Sequence, residues 1–413
     1  MANWLSRVRS PAVAGLFVAM LTVGTVAAGT ATAAEEKKPQ ISAEVAKFLK
    51  PSQDAIQKKD FDTGVAQARA GLAIATKPYD REIALKLLGQ AAGGKGDFLV
   101  YAEAWEQLVA METVPADEKT RAYRAMAQIY GKEGNYEKAV PYAKKWVDAG
   151  GGAEAYGFLA TLYLIQKDCA NGVVALEKSV EGREATEVEL KREFGCYQQL
   201  GDKAKQLTAI EALESRFLTR EYLISLMAVY EAQSLDPHAM LNLYRLAFDR
   251  DFLTRESEYV EYAEMALEAG APAEALKVLE TGIAKNTVKL IAPTDRNSRM
   301  LKNAKELTAD DRKTIGSLDK EARAGSNGEA DVKVGLAYLG IGDYDKAVES
   351  IERGLKPERQ GRVKRLDDAF MNLGFAYYKL GKKDEAAKAY TSAKSDPRMS
   401  RAATVWLAAL SKS

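Results

Sequence analysis

Apolar residues recur along this chain at helical spacing, and a short polar phrase interrupts them at a nearly fixed interval. Phe370, Leu373, Gly374 and Tyr377 fall on one face of a helix, and Ala386, Tyr390 and Ala393 fall on one face of the next. The same order of large and small residues returns in Tyr123, Met126, Ala127 and Tyr130 with Ala139, in Tyr156, Leu159, Ala160 and Tyr163, and in Val334, Gly335 and Tyr338 with Ala347. Between the paired stretches stand Gly134-Asn135-Tyr136, Gly342-Asp343-Tyr344 and Gly381-Lys382-Lys383, each a turn signal. With the third residue of the phrase as marker, equivalents are Phe61, Phe98, Tyr136, Cys169, Lys203, Pro237, Pro272, Tyr344 and Lys383. They lie 33 to 39 residues apart, except for one interval of 72 that spans two periods. A helix-turn-helix unit repeating about every 34 residues predicts stacked helical pairs, because one pair cannot bury its apolar face alone.

In this register the Gly or Ala lets two helices approach and the aromatic fills the next gap. The pattern resembles the tetratricopeptide repeat family, and the resemblance implies an all-α solenoid, a right-handed superhelix of helix-turn-helix pairs. On this reading residues 42–286 form one repeat array and residues 329–395 a C-terminal pair of repeats. Residues 396–413 form a helix that covers the last apolar face, as solenoids require. The stretch 287–328 breaks the pattern with Pro293, Asn297, Gly316 and Gly325-Ser326-Asn327-Gly328. It reads either as a degenerate repeat, with helices at Arg299–Glu306 and Asp310–Arg323, or as a linker.

Arg7 and Arg9 precede an apolar run from Ala12 to Ala28, followed by Ala31-Thr32-Ala33 and the charged Glu35-Glu36-Lys37-Lys38. This is the order of a secretory signal peptide, expected to span 1–33 with a polar leader at 34–41. An uncleaved anchor is the alternative, but Thr22, Gly24 and Thr25 dilute the run. A periplasmic location follows as the expectation, with no stable membrane span after cleavage.

Lys and Arg (59) nearly balance Asp and Glu (58) for a net charge of +1, and loss of Arg7 and Arg9 brings this to −1. That balance offers no electrostatic footprint for nucleic acid or an anionic membrane. The single histidine, His238, cannot build a His-based metal cluster or a set of His-assisted nucleophiles, so neither cofactor nor enzymatic activity is expected. Gly93-Gly94-Lys95-Gly96 and Gly150-Gly151-Gly152 follow no predicted strand and lack the Gly-Lys-Ser/Thr ending of a phosphate loop; they read as turns. The two cysteines, Cys169 at the turn of one repeat and Cys196 near the end of the first helix of the next, fall on one edge of such a stack. In an exported chain they could pair; otherwise Cys196 is a small core residue and Cys169 an exposed thiol.

In the tetratricopeptide family the first helix of each repeat lines a concave groove. By register this gives Arg121, Arg124 and Gln128 mid-chain, and Val332, Leu336, Leu339, Met371, Phe375 and Tyr378 near the C-terminus. The six apolar residues exceed what the repeat core uses, so they form either a binding surface or internal packing. The function expected is a scaffold that binds a protein or peptide in the cell envelope; the sequence leaves the oligomeric state open. The phrases Leu226–Tyr230 and Tyr244–Asp249 resemble exported repeat proteins that accompany TonB-type transport systems, which would imply a partner in such a system. A second reading is a carbohydrate- or peptidoglycan-associated protein, with Trp105, Trp146, Tyr163 and Tyr378 stacking on sugars.

Overall fold

The computed structural model describes residues 40–412, and among them every regular element is a helix. The expected signal peptide and residues 34–39 of the leader lie outside the described residues. The chain divides into two compact units, Met1–Glu189 and Leu190–Ser413.

The first unit holds α1 (Ala43–Gln57), α2 (Phe61–Ile74), α3 (Pro78–Lys95), α4 (Phe98–Leu108), α5 (Ala116–Lys132), α6 (Tyr136–Asp148), α7 (Gly152–Ile165) and α8 (Cys169–Val180). The second begins within α9 (Glu187–Leu200) and continues with α10 (Lys203–Phe217), α11 (Arg220–Glu231), α12 (Pro237–Asp249), α13 (Glu256–Glu268) and α14 (Pro272–Ala284). It ends with α15 (Arg296–Ala324), α16 (Gly328–Ile341), α17 (Tyr344–Gly354), α18 (Pro357–Gln360), α19 (Leu366–Lys379), α20 (Lys383–Lys394) and α21 (Ser400–Leu410).

All nine marker residues open a helix: α2, α4, α6, α8, α10, α12, α14, α17 and α20. The local chemistry explains this. The glycine of the phrase takes a left-handed backbone, φ 75° at Gly134 and 86° at Gly342, which reverses the chain at little steric cost. The Asp or Asn that follows caps the next helix: Asp97 accepts from the Val100 amide at 3.3 Å, Asn135 from Lys138 at 3.2 Å and Asp202 from Lys205 at 3.0 Å.

In the first unit the repeat residues meet as the register requires. Met126, Ala127, Tyr130, Ala139 and Ala143 are buried, Trp146 packs on Phe158 at 6.3 Å, and the core runs continuously from Val45 to Leu176. In the second unit, α16 pairs with α17 and α19 with α20. Asp331 of α16 is fully buried and ties that helix to α17 and α18, accepting from Arg353 Nε at 2.6 Å and Arg359 Nε at 2.7 Å.

Residues 287–328 are neither a helical pair nor a linker. One helix of 29 residues, α15, lies between α14 and α16 within the double interval. Its buried residues Met300, Ala304 and Thr308, then Ile315, Asp319 and Ala322, keep one stripe throughout. Nothing at Leu307-Thr308-Ala309 breaks a helix, and the Thr308 hydroxyl donates to the Ala304 carbonyl at 2.6 Å.

Candidate functional site

The inner face of the second unit is built around α12. Its residues from Ala239 to Ala247 are all buried, including Asn242 and Arg245, because the helix is covered on several sides. An arginine in that position survives only if every donor is satisfied. Arg245 Nε and Nη2 reach the two oxygens of Glu274 on α14 at 2.7 and 2.8 Å, and Nη1 reaches Asn242 at 3.1 Å and Asn372 on α19 at 2.6 Å. The guanidinium lies over the Phe375 ring at 5.4 Å. Tyr262 donates to Glu274 at 2.6 Å, and burial with that neighbouring carboxylate holds its phenol far above the ordinary range. Burial works against the Arg245 charge, but Glu274 more than restores it.

Around this ion pair α12 and α19 are tied along their whole length. At their N-termini Arg365 bridges to Asp236 at 3.1 Å and His238 Nδ1 lies 3.2 Å from Asp368. At their C-termini Asp249 accepts from the Tyr378 hydroxyl at 2.5 Å and from Lys379 at 2.7 Å. A cavity of about 280 Å³ remains, lined among others by Arg245, Glu274, Lys277, Tyr344, Phe375 and Lys379. Lys277 is exposed at its edge.

The C-terminal helix completes the enclosure. Trp406 of α21 is fully buried and its indole N–H donates to the Asn242 carbonyl at 2.8 Å. The ring stacks on Tyr390 at 5.3 Å and meets Phe375 and Tyr378 edge-on at 5.6 and 5.2 Å.

These contacts bear on the two readings of the apolar C-terminal residues. Met371 and Leu339 are buried, Phe375 packs on Arg245 and Trp406, and Tyr378 packs on Trp406. On α19 the residues are internal packing, because α12 and α21 occupy the face they were expected to present. On α16, Leu336 packs against a core shared by α15, α16, α17 and α19, and both Val332 and Leu336 are half-buried. Arg121 and Arg124 are exposed on α5 and Gln128 is half-buried. Arg124 pairs with Glu154 of α7 at 2.5 Å and covers the Trp146 ring at 5.4 Å. Of the aromatics expected to stack on sugars, Trp105 and Trp146 are buried, while Tyr163 and Tyr378 are half-buried. Cys169 and Cys196 are both buried and neither is a free thiol, so of the two alternatives the exposed thiol at Cys169 does not hold.

Sequence reasoning passed over Arg245, Glu274, Asn372 and Trp406. A charged residue inside the apolar run Leu243-Tyr244-Arg245-Leu246-Ala247-Phe248 was the available signal, since arginine is rarely fully buried without a fixed partner. No cluster of three or more His, Cys, Asp or Glu side chains suited to a metal occurs among the described residues. No described helix is long and apolar enough to cross a membrane.

Residues 332–403 and 120–148 match tetratricopeptide repeat family models. The chain carries tetratricopeptide repeats. They belong to stacked helical pairs of the kind from which protein-interaction scaffolds are made. No curated protein matches the sequence. Solved structures similar to it include a tetratricopeptide repeat protein from Parabacteroides merdae, 13% identical, with 64% of this chain and 99% of that chain covered and a TM-score of 0.30. Another is the TPR2AB-domain:pHSP90 complex of yeast Sti1, at 14% identity, 64% and 97% coverage and a TM-score of 0.34. The TPR domain of P58(IPK) is 13% identical, with 90% and 98% covered and a TM-score of 0.24.

Proposed function

We propose that this tetratricopeptide protein is an exported, non-enzymatic adaptor that binds a protein or peptide partner in the cell envelope through the first unit. The observation behind this reading is the contrast between two inner surfaces. In the second unit the polar groups of that surface are engaged by the chain's own side chains. In the first unit, Arg121 and Arg124 stand exposed on α5, paired only with the exposed Asp117 and Glu154. Exposed pairs of this kind contribute little to stability, so exchanging them for pairs with a partner costs little. Lys86 of α3 extends the pattern toward α5, 2.9 Å from Glu82 and 3.3 Å from Glu118. The surface therefore alternates acids and bases across three helices, which suits a polar segment of mixed charge. The resemblance of Tyr244–Asp249 and Leu226–Tyr230 to repeat proteins of TonB-type systems directs the search for that partner to such a system.

The test uses a photo-crosslinking residue at position 124 or, as a control, at position 277, in cells expressing the full chain. A partner crosslinked from position 124 and lost in Arg121→Glu/Arg124→Glu supports the reading. Crosslinking from position 277 alone would move the binding surface to the second unit. The N-terminal sequence of protein released from the periplasm should begin at Ala34; retention of residues 1–33 would refute cleavage.

A further inference from the structure

Glu214, on α10, is 1% exposed, and neither oxygen of its carboxylate has a hydrogen-bond partner. It lies near the C-terminal end of α21. Lys412, just beyond that helix, donates to the Ser215 carbonyl, and Arg250 Nη2, at the end of α12, donates to the Ala409 carbonyl at 3.2 Å. The other charged or titratable groups nearby are already engaged. Tyr230 on α11 donates to Glu211 at 2.7 Å, while Arg401 on α21 lies 3.9 Å from Glu211 and 5.3 Å from the Tyr230 ring. At its other face α21 places Trp406 into the enclosure between α12, α19 and α20. One helix therefore both closes the inner face of the unit and packs beside an unsatisfied carboxyl group.

We propose that α21 is a proton-gated clasp, held shut over the inner face of the second unit while Glu214 beneath it is uncharged and loosened when Glu214 becomes charged. A carboxylic acid at such a site needs little solvation, whereas a carboxylate without donors is expensive to keep dry. Lys412 supplies an opposing charge, but its ammonium is hydrogen-bonded to the Ser215 carbonyl. Burial raises the Glu214 pKa from 4.5 to about 7, with Lys412 opposing that shift. Lifting the end of α21 hydrates the carboxylate, so ionisation and opening are linked. The inner face carrying Phe375 and Tyr378 then becomes accessible.

Hydrogen exchange on the full chain, followed by mass spectrometry from pH 5 to 8.5 and corrected for intrinsic exchange, tests this directly. Protection of residues 400–412 should fall on the order of 100-fold from pH 5 to 8, while residues 383–394 stay protected. Glu214→Gln and, independently, Glu214→Met should remove the dependence and keep α21 protected throughout. His238→Gln should retain it, since His238, whose pKa Asp368 raises, faces that carboxylate at the far end of α12. A flat wild-type profile, a slope that survives in both Glu214 variants, or a slope abolished by His238→Gln would overturn the proposal.

Discussion

Gly374 on α19 gives the most stringent check of the packing argument, because a single methyl group there has nowhere to go. A Cβ built at Gly374 would sit 2.5, 2.7 and 2.9 Å from three ring carbons of Tyr390. Tyr390 is fully buried and stacked on Trp406, and Trp406 is fixed by its bond to the Asn242 carbonyl. The tyrosine ring cannot retreat without moving the tryptophan, so the strain passes into α21. Overpacking of this kind costs about 1–3 kcal/mol. Against it stands the helix preference of alanine over glycine, worth about 1 kcal/mol. Gly374→Ala should therefore be neutral to destabilising by about 2 kcal/mol.

Gly316, in the middle of α15, separates the two effects. A Cβ there meets nothing within 4 Å, so Gly316→Ala should show the helix gain alone, about 0.5–1 kcal/mol of stabilisation. Urea unfolding of the two variants should place them about 1–3 kcal/mol apart, with the glycine on α19 the less stable. Trp406→Phe, which shortens the wall behind Tyr390, should lessen the penalty of Gly374→Ala in a double-mutant cycle. Equal stabilisation by both alanines would mean that α19 and α20 do not approach as closely as described, and the packing argument would fail.

Asp368 raises the His238 pKa through a hydrogen bond, against burial that lowers it. The pair should add stability below the unfolded value of 6.5 and lose it as pH rises through the higher folded value, and Asp368→Asn should abolish that part of the pH profile. Peptide mapping without reduction should recover Cys169 and Cys196 in one linked peptide; a map in which each runs alone would exclude the pairing.

Much of the fold was legible because its signals are local. At α4, α6, α10 and α17 the glycine with a left-handed backbone, the Asp or Asn cap and the first residue of the following helix stand next to one another in sequence, and the repeat interval carries that mark to the other five starts without any knowledge of tertiary structure. The contact between Gly374 and Tyr390 was legible for the same reason: both belong to one helical pair, and the repeat fixes their register. The long helix α15 was harder to see. Pro293 and the Gly325–Gly328 turn lie at its two ends, and the sequence between them contains a glycine at 316 that the helix tolerates.

The second unit's interior was not legible, and the reason is distance along the chain. Arg245 and Asn372 are separated by 127 residues, and Trp406 and Asn242 by 164, so no repeat-length window contains either pair. Periodicity specifies how each pair of helices packs, but small differences in every pair determine where the fifth returns relative to the first. Whether an apolar stripe faces solvent or another part of the chain depends on that accumulated rotation. The excess of apolar residues at Met371, Phe375 and Tyr378 was visible in the sequence; its meaning became clear only from Arg245 and Trp406 on the opposite side. A buried arginine inside an apolar helix is the better signal in such arrays, because it demands a fixed acid partner and therefore marks the places where the superhelix closes on itself.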